Sequence, residues 1–192
     1  MAAKQGERKL QILHTLAEML QNPHAEKITT AALAKKLDVS EAALYRHFAS
    51  KAQMFEGLIE FIEESIFGLI NKITSDEKSG VKQLEAMISM LLSFAKKNPG
   101  MTRVLIGDAL VNEDDRLQAR INRLHDRLEA SIKQALRFAI SQNELPAGTD
   151  ATAQANLLMC YVTGRWHQFA KSGFKREPME HWAGQWRELI RA

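Results

Sequence analysis

The amino-acid sequence predicts an all-α protein of about nine helices, with an N-terminal helix-turn-helix domain followed by a helical body. Three observations carry that prediction. Apolar residues recur at helical spacing along nearly all of the 192 residues. No window alternates apolar and polar residues with period two for long enough to make a strand, and four prolines and ten glycines are too few for a turn-rich β architecture. Between Ile28 and Phe48, two helical patterns of about two turns each are joined by three residues.

The elements follow in order. Leu10, Leu13, Ala17 and Leu20 stripe a first helix, which the Asn22-Pro23 step ends because the residue before a proline avoids the helical region. Thr29-Thr30 supply N-cap chemistry for a short helix bearing Leu33, Ala34 and Leu37. Asp38-Val39-Ser40 interrupts it, and Ser40 caps a second short helix from Glu41 to Phe48 that buries Leu44 and Phe48. Ser50 caps a long helix through Phe55, Ile59, Ile62, Ile66 and Ile70. A helix to about Lys97 comes next, then a break at Asn98-Pro99-Gly100 and a short segment around Val104 to Leu110. Leu117, Ile121, Leu124, Leu128, Ile132 and Leu136 line a long charged helix over roughly 113–141, closed by the Pro146- and Gly148-containing loop. Two last helices are expected over about 150–172 and 178–190. The expected domains are residues 1–51 and 52–192.

Composition narrows the function classes. Hydrophobic residues make up 45% and charged residues 26%, as in soluble globular proteins, and no apolar run approaches the roughly 18 residues that span a bilayer. The charges near the N-terminus lead into no apolar run, so no secretory signal is expected. A single cysteine, Cys160, cannot form an internal disulfide, which fits a cytoplasmic protein. The six histidines lack metal-ligand spacing, and neither a nucleophile elbow nor a phosphate-binding or dinucleotide glycine loop occurs. No metal, cofactor or catalysis is expected, and the acidic run Glu56, Glu60, Glu63 and Glu64 reads as a solvated face.

The net charge of +3 is small, but residues 1–51 hold eight basic and five acidic side chains and so carry all of it. Such asymmetry suits a nucleic-acid-facing head on a neutral body. In the second short helix, at about 100° per residue, Leu44 and Phe48 fall on one side with Glu41, and Ala42 and Arg46 fall opposite, flanked by Ala43 and Tyr45. An exposed surface of alanine, tyrosine and arginine suits a major groove: Arg46 for guanine or phosphate, Ala42 for a thymine methyl. Tyr45, His47, Thr29, Thr30 and Lys51 are better placed for phosphates. The predicted DNA-binding set is therefore Thr29, Thr30, Ser40, Glu41, Ala42, Ala43, Tyr45, Arg46, His47 and Lys51.

These residues carry a resemblance. The run Ser40-Glu-Ala-Ala-Leu-Tyr-Arg-His-Phe48, followed by Ser50-Lys51, looks like the DNA-binding domain of TetR-family regulators. Ala49 stands where that family usually has proline, an entropic difference of under about 1 kcal/mol. Leu58 to Glu64, Asn98 to Arg103 and Asp115 to Asn122 extend the likeness to the nucleoid occlusion branch of the family. That resemblance implies a nucleoid-associated protein that binds dispersed palindromes as a homodimer and antagonises the division protein FtsZ. By position, Phe61, Lys97 and Asn98 match the FtsZ-facing surface, whereas Leu69 and Ser93 replace an arginine and a glycine of those proteins.

The last two helices suggest how a dimer forms. Leu157, Leu158, Tyr161, Val162, Trp166 and Phe169 give one a broad apolar surface, and Trp182, Trp186, Leu189 and Ile190 stripe the other. Two such helices per subunit would make a four-helix interface, with Tyr161, Trp166, Trp182 and Trp186 as its aromatic anchors. The alternative is a ligand-responsive repressor, in which a small-molecule inducer enters a body pocket edged by Met54, Met87, Met90, Met101 and Met159.

Overall fold

The helix starts marked in the sequence by hydroxyl residues are capped by them. Thr29 Oγ1 accepts from the Ala32 amide at 3.1 Å, Ser40 Oγ from Ala43 at 3.2 Å and Ser50 Oγ from Gln53 at 3.1 Å. Gln53 reaches back to the preceding turn, its Oε1 accepting from the Ala49 amide at 2.8 Å. The computed structural model describes residues 2–22 and 28–190, residues 2–5 by backbone alone. Among the described residues there are nine α-helices and no strand: α1 (Ala2–Met19), α2 (Thr30–Lys36), α3 (Glu41–Tyr45), α4 (Lys51–Asp76), α5 (Gly80–Lys97), α6 (Pro99–Leu105), α7 (Asp115–Ser141), α8 (Ala151–Lys171) and α9 (Trp182–Leu189). A 3-10 turn covers Asp108–Leu110. Pro23, the expected terminator of α1, lies outside the described residues.

Three boundaries differ from the sequence reading. The helix expected to run to Phe48 ends at Tyr45, because the Leu44 carbonyl accepts from both His47 and Phe48 and tightens the last turn. The break expected at Asn98-Pro99-Gly100 is one residue long: Pro99 opens α6, where its missing N–H costs nothing. The last helix starts at Trp182 rather than near Pro178. The Arg165 guanidinium takes the carbonyls of Glu177, Pro178 and Glu180, and His181 has φ +65°, so these residues form turns.

The chain divides into two compact units, Met1–Ile62 with Asn98–Ile121 and Glu63–Lys97 with Asn122–Ala192. The first therefore reaches past residue 51 and takes in the start of α4 and the α6 segment. Its core joins Ile12, Leu16 and Leu20 of α1 to Leu33 and Leu44 of the two short helices and to Met54, Phe55, Leu58, Val104 and Leu105, all buried. Glycine permits the closest approach: a Cβ at Gly100 would lie 1.9 Å from the Ala17 carbonyl oxygen, so only Gly100 lets α6 cross α1 there.

The core of the second unit includes Ile66, Ile70, Leu84, Ile88, Leu128, Ile132, Leu158 and Val162, all buried, and Trp166, which is wholly buried. The Trp166 indole N–H donates to the Leu91 carbonyl at 3.1 Å, tying α8 to α5. Tyr161 donates to Gln185 Oε1 at 2.8 Å and ties α8 to α9. Arg127 stacks over the Phe67 ring at 4.0 Å.

Candidate nucleic-acid interface

The interface grows out of the α2–turn–α3 pair in the first unit. Asp38 takes φ +54° in the turn, and the Val39 amide returns to the Ala34 carbonyl at 3.0 Å, so three residues reverse the chain. Leu33 and Leu44, each 1% exposed, lock the two helices on the core. The opposite side of α3 is left to solvent. Ala42, Tyr45 and Arg46 are exposed and Ala43 is half-buried; Glu41, expected on the side of Leu44, is exposed as well because it lies at the open start of the helix.

The predicted residues divide into three groups. Thr29 and Ser40 are caps, exposed, with their side-chain oxygens on backbone amides. Thr30, Glu41 and Tyr45 form one cluster across the two helices: Thr30 Oγ1 donates to Glu41 Oε2 at 2.6 Å, and the Tyr45 hydroxyl lies 3.5 Å from Thr30 Oγ1. Arg46 sits just past the last turn of α3 rather than within it. His47 is half-buried, with Nδ1 enclosed and unpartnered among the described residues.

Lys51 departs most from a free phosphate contact. Its ammonium pairs with the Glu113 carboxylate and lies 5.6 Å from the Phe55 ring. The partners stand 62 residues apart, so no local spacing in the sequence signals the pair. Lys9, which no sequence signal singles out, lies 5.7 Å over the Phe48 ring and adds a cation to this head.

Beside the pair, Arg103 donates to Asp108 Oδ2 at 2.7 Å and to the carbonyls of Leu20 and Asn22, closing the end of α1. Both ion pairs border a cavity of about 180 Å³ in this unit.

The remaining predicted residues lie elsewhere. Phe61, in the first unit, is half-buried and meets His14 edge-on at 5.4 Å. Asn98, in the same unit, accepts through its carbonyl from the Thr102 amide and hydroxyl. Lys97 is the exposed last residue of α5, in the second unit. Leu69 is 43% exposed on α4 and Ser93 is half-buried on α5.

Of the expected interface aromatics, Trp166 is enclosed by its own protomer, so it supplies core rather than a face for a partner; the periodicity of α8 could not tell the two apart. Trp186 is also buried, while Tyr161 and Trp182 are half-buried, their rings 6.3 Å apart. The solvent side of α8 instead carries Leu157, 50% exposed, with Ala153, Cys160 and Gly164. Ala183 and Gly184 are exposed on α9. Met54 and Met101 are buried in the first unit; in the second, Met87 and Met159 are buried and Met90 is half-buried.

The profile of bacterial regulatory proteins of the tetR family matches residues 12–58, and that of the SlmA-like, tetracyclin repressor-like C-terminal domain matches residues 78–192. The nucleoid occlusion factor SlmA of Alteromonas mediterranea is 50% identical over 185 residues, 96% of this chain and 95% of that protein. Among solved structures, the TetR family regulator PfmR of Thermus thermophilus superposes with a TM-score of 0.77 at 18% identity, covering 94% of this chain and 97% of that one. The regulator FadR of Bacillus subtilis, solved with stearoyl-CoA, gives 0.75 at 16% identity with the same coverage.

Proposed function

The chain belongs to the tetR family of bacterial regulatory proteins, and we propose that it is a nucleoid occlusion factor, a DNA-binding regulator rather than an enzyme. One observation carries this reading: half of its residues are identical to those of a nucleoid occlusion factor across nearly the whole of both chains. The exposed polar face of α3 agrees with it, since a recognition helix must offer hydrogen-bonding groups to a groove.

In this reading two copies pair through the solvent side of α8 and α9, where Leu157 offers an apolar contact and Gly164, Ala183 and Gly184 let helix backbones approach. Pairing sets two heads about one helical turn (~34 Å) or a multiple apart on a palindrome. Bound at many sites over the chromosome, the dimer antagonises FtsZ assembly, with Phe61, Lys97 and Asn98 on the FtsZ-facing surface.

The test is sedimentation of FtsZ polymers with the protein and a palindromic duplex. Less pelleted FtsZ with the cognate duplex than with a scrambled one supports the reading, and equal pellets refute the FtsZ step.

A second reading, the ligand-responsive repressor, has one feature in its favour. A groove of about 360 Å³ in the second unit is lined by Ile70, Asn71, Thr74, Met87, Gln134 and Phe138. A cavity of that size suits a small organic ligand. Release of the duplex by an added ligand would favour this reading.

A further inference from the structure

We propose that Glu41 reads sequence in this head, accepting a hydrogen bond from the exocyclic amine of a cytosine in the major groove, with Thr30 as the residue that positions its carboxylate. The inference rests on the DNA-binding reading above and deepens it.

Glu41 is the first residue of α3, the end of a recognition helix that meets base edges. It is exposed, yet its side chain is not loose: Oε2 accepts from Thr30 Oγ1 at 2.6 Å. Among the described residues Oε1 has no hydrogen-bond partner, so one oxygen is anchored and the other is left to accept.

A threonine hydroxyl has a single proton. While it is donated to Glu41, it is not offered to a phosphate. The Tyr45 hydroxyl, 3.5 Å from Thr30 Oγ1, borders the same cluster. The start of α3 therefore faces DNA with acceptors.

A carboxylate is repelled by phosphates at every position of a duplex and is tolerated where a base offers a donor. In the major groove cytosine N4 is the donor that Glu and Asp accept from; guanine and thymine offer only acceptors on that edge, and adenine sets its N6 donor beside the N7 acceptor, which repels a carboxylate. Ala42 and Ala43 beside it have no polar side-chain atom, and Arg46 lies beyond the last turn of α3. Glu41 is thus a group at the start of α3 whose chemistry separates one base from another, and the operator half-site should hold a cytosine that it contacts.

The experiment uses the full-length chain and a duplex selected by the wild-type protein from random sequence. Each half-site base pair is then changed singly, and binding is followed by fluorescence anisotropy at one fixed salt concentration. One C·G position should lose about tenfold in affinity on change to T·A.

Glu41→Ala should flatten that position to within about twofold, leave the others unchanged, and bind random duplex more tightly because a repulsive charge is gone. Glu41→Gln should move the preference at that position towards adenine. Thr30→Val should weaken discrimination there alone, and Thr30→Ser should restore it. Glu41→Ala with the full wild-type profile overturns the proposal. A dependence of the Glu41 position on adenine instead of cytosine overturns the base assignment. A wild-type protein with no base preference anywhere overturns both this inference and the DNA-binding reading.

Discussion

Lys51, the first residue of α4, is held by Glu113, two residues before α7, in an ion pair whose side chains are 21% and 10% exposed. A cation that a DNA head could turn towards a phosphate is therefore neutralised within its own unit. Glu113→Gln frees it: affinity for random duplex rises a few-fold, and the salt dependence of binding steepens by about one phosphate contact. The same change costs about 1–3 kcal/mol of folding stability, because it removes a charge-assisted hydrogen bond. Anisotropy titrations from low to moderate salt and urea midpoints check both halves.

Gly100→Ala is expected to destabilise strongly. The added methyl group would meet the Ala17 carbonyl oxygen, a backbone atom that cannot move without displacing α1. A loss of about 3 kcal/mol is expected in urea unfolding. By contrast, Gly6, Gly148 and Gly164 have open space around an added Cβ. Gly148→Ala should leave the midpoint nearly unchanged.

Trp166 and Leu157 lie on the same helix and separate folding from association. Trp166→Ala empties a core site and leaves the Leu91 carbonyl without its donor, a cost of about 3–5 kcal/mol read as a lower unfolding midpoint. Leu157→Glu places a charge on an exposed position and should leave the protomer's far-UV dichroism intact while shifting sedimentation velocity from dimer to monomer. Dimers that persist in the Leu157→Glu variant remove α8 from the proposed interface.

Stability should fall on the acid side. The Ser79 amide holds the Glu77 carboxyl below its ordinary range, and the Val81 amide does the same for Glu144. The Ala153 amide lowers Asp150 at the cap of α8, and a hydrogen bond from Arg116 brings Asp114 down to about 2. A lowered folded-state pKa means stability that is present above the unfolded value and lost as pH falls through the folded one. Unfolding midpoints should therefore hold above about pH 5 and decline between about pH 4.5 and 2. Glu144→Gln, which keeps the size of the side chain and removes its titration, should make that decline shallower.

Much of this fold is legible from spacing and capping chemistry. Thr29, Ser40 and Ser50 mark three helix starts because their hydroxyls must satisfy amides that the helix leaves open. Boundaries set by tertiary contacts are not legible. Gly100 looks like a breaker in sequence and proves to be the crossing point of α1 and α6, and the carbonyls of Glu177, Pro178 and Glu180 are taken by Arg165.

Within the site, the exposed face of α3 follows from the burial of Leu44. The Thr30–Glu41 bond and the Lys51–Glu113 pair do not, because they join residues 11 and 62 positions apart. Periodicity also marks an apolar face without saying what covers it. It therefore points Trp166 to an interface, whereas the side chain lies in the protomer core.

The most direct test of the account is a genome-wide map of where the protein sits on its own chromosome. Nucleoid occlusion predicts many dispersed sites that share one palindrome and lie mostly away from promoters. One or two sites, beside the protein's own gene or a single metabolic operon, would contradict it.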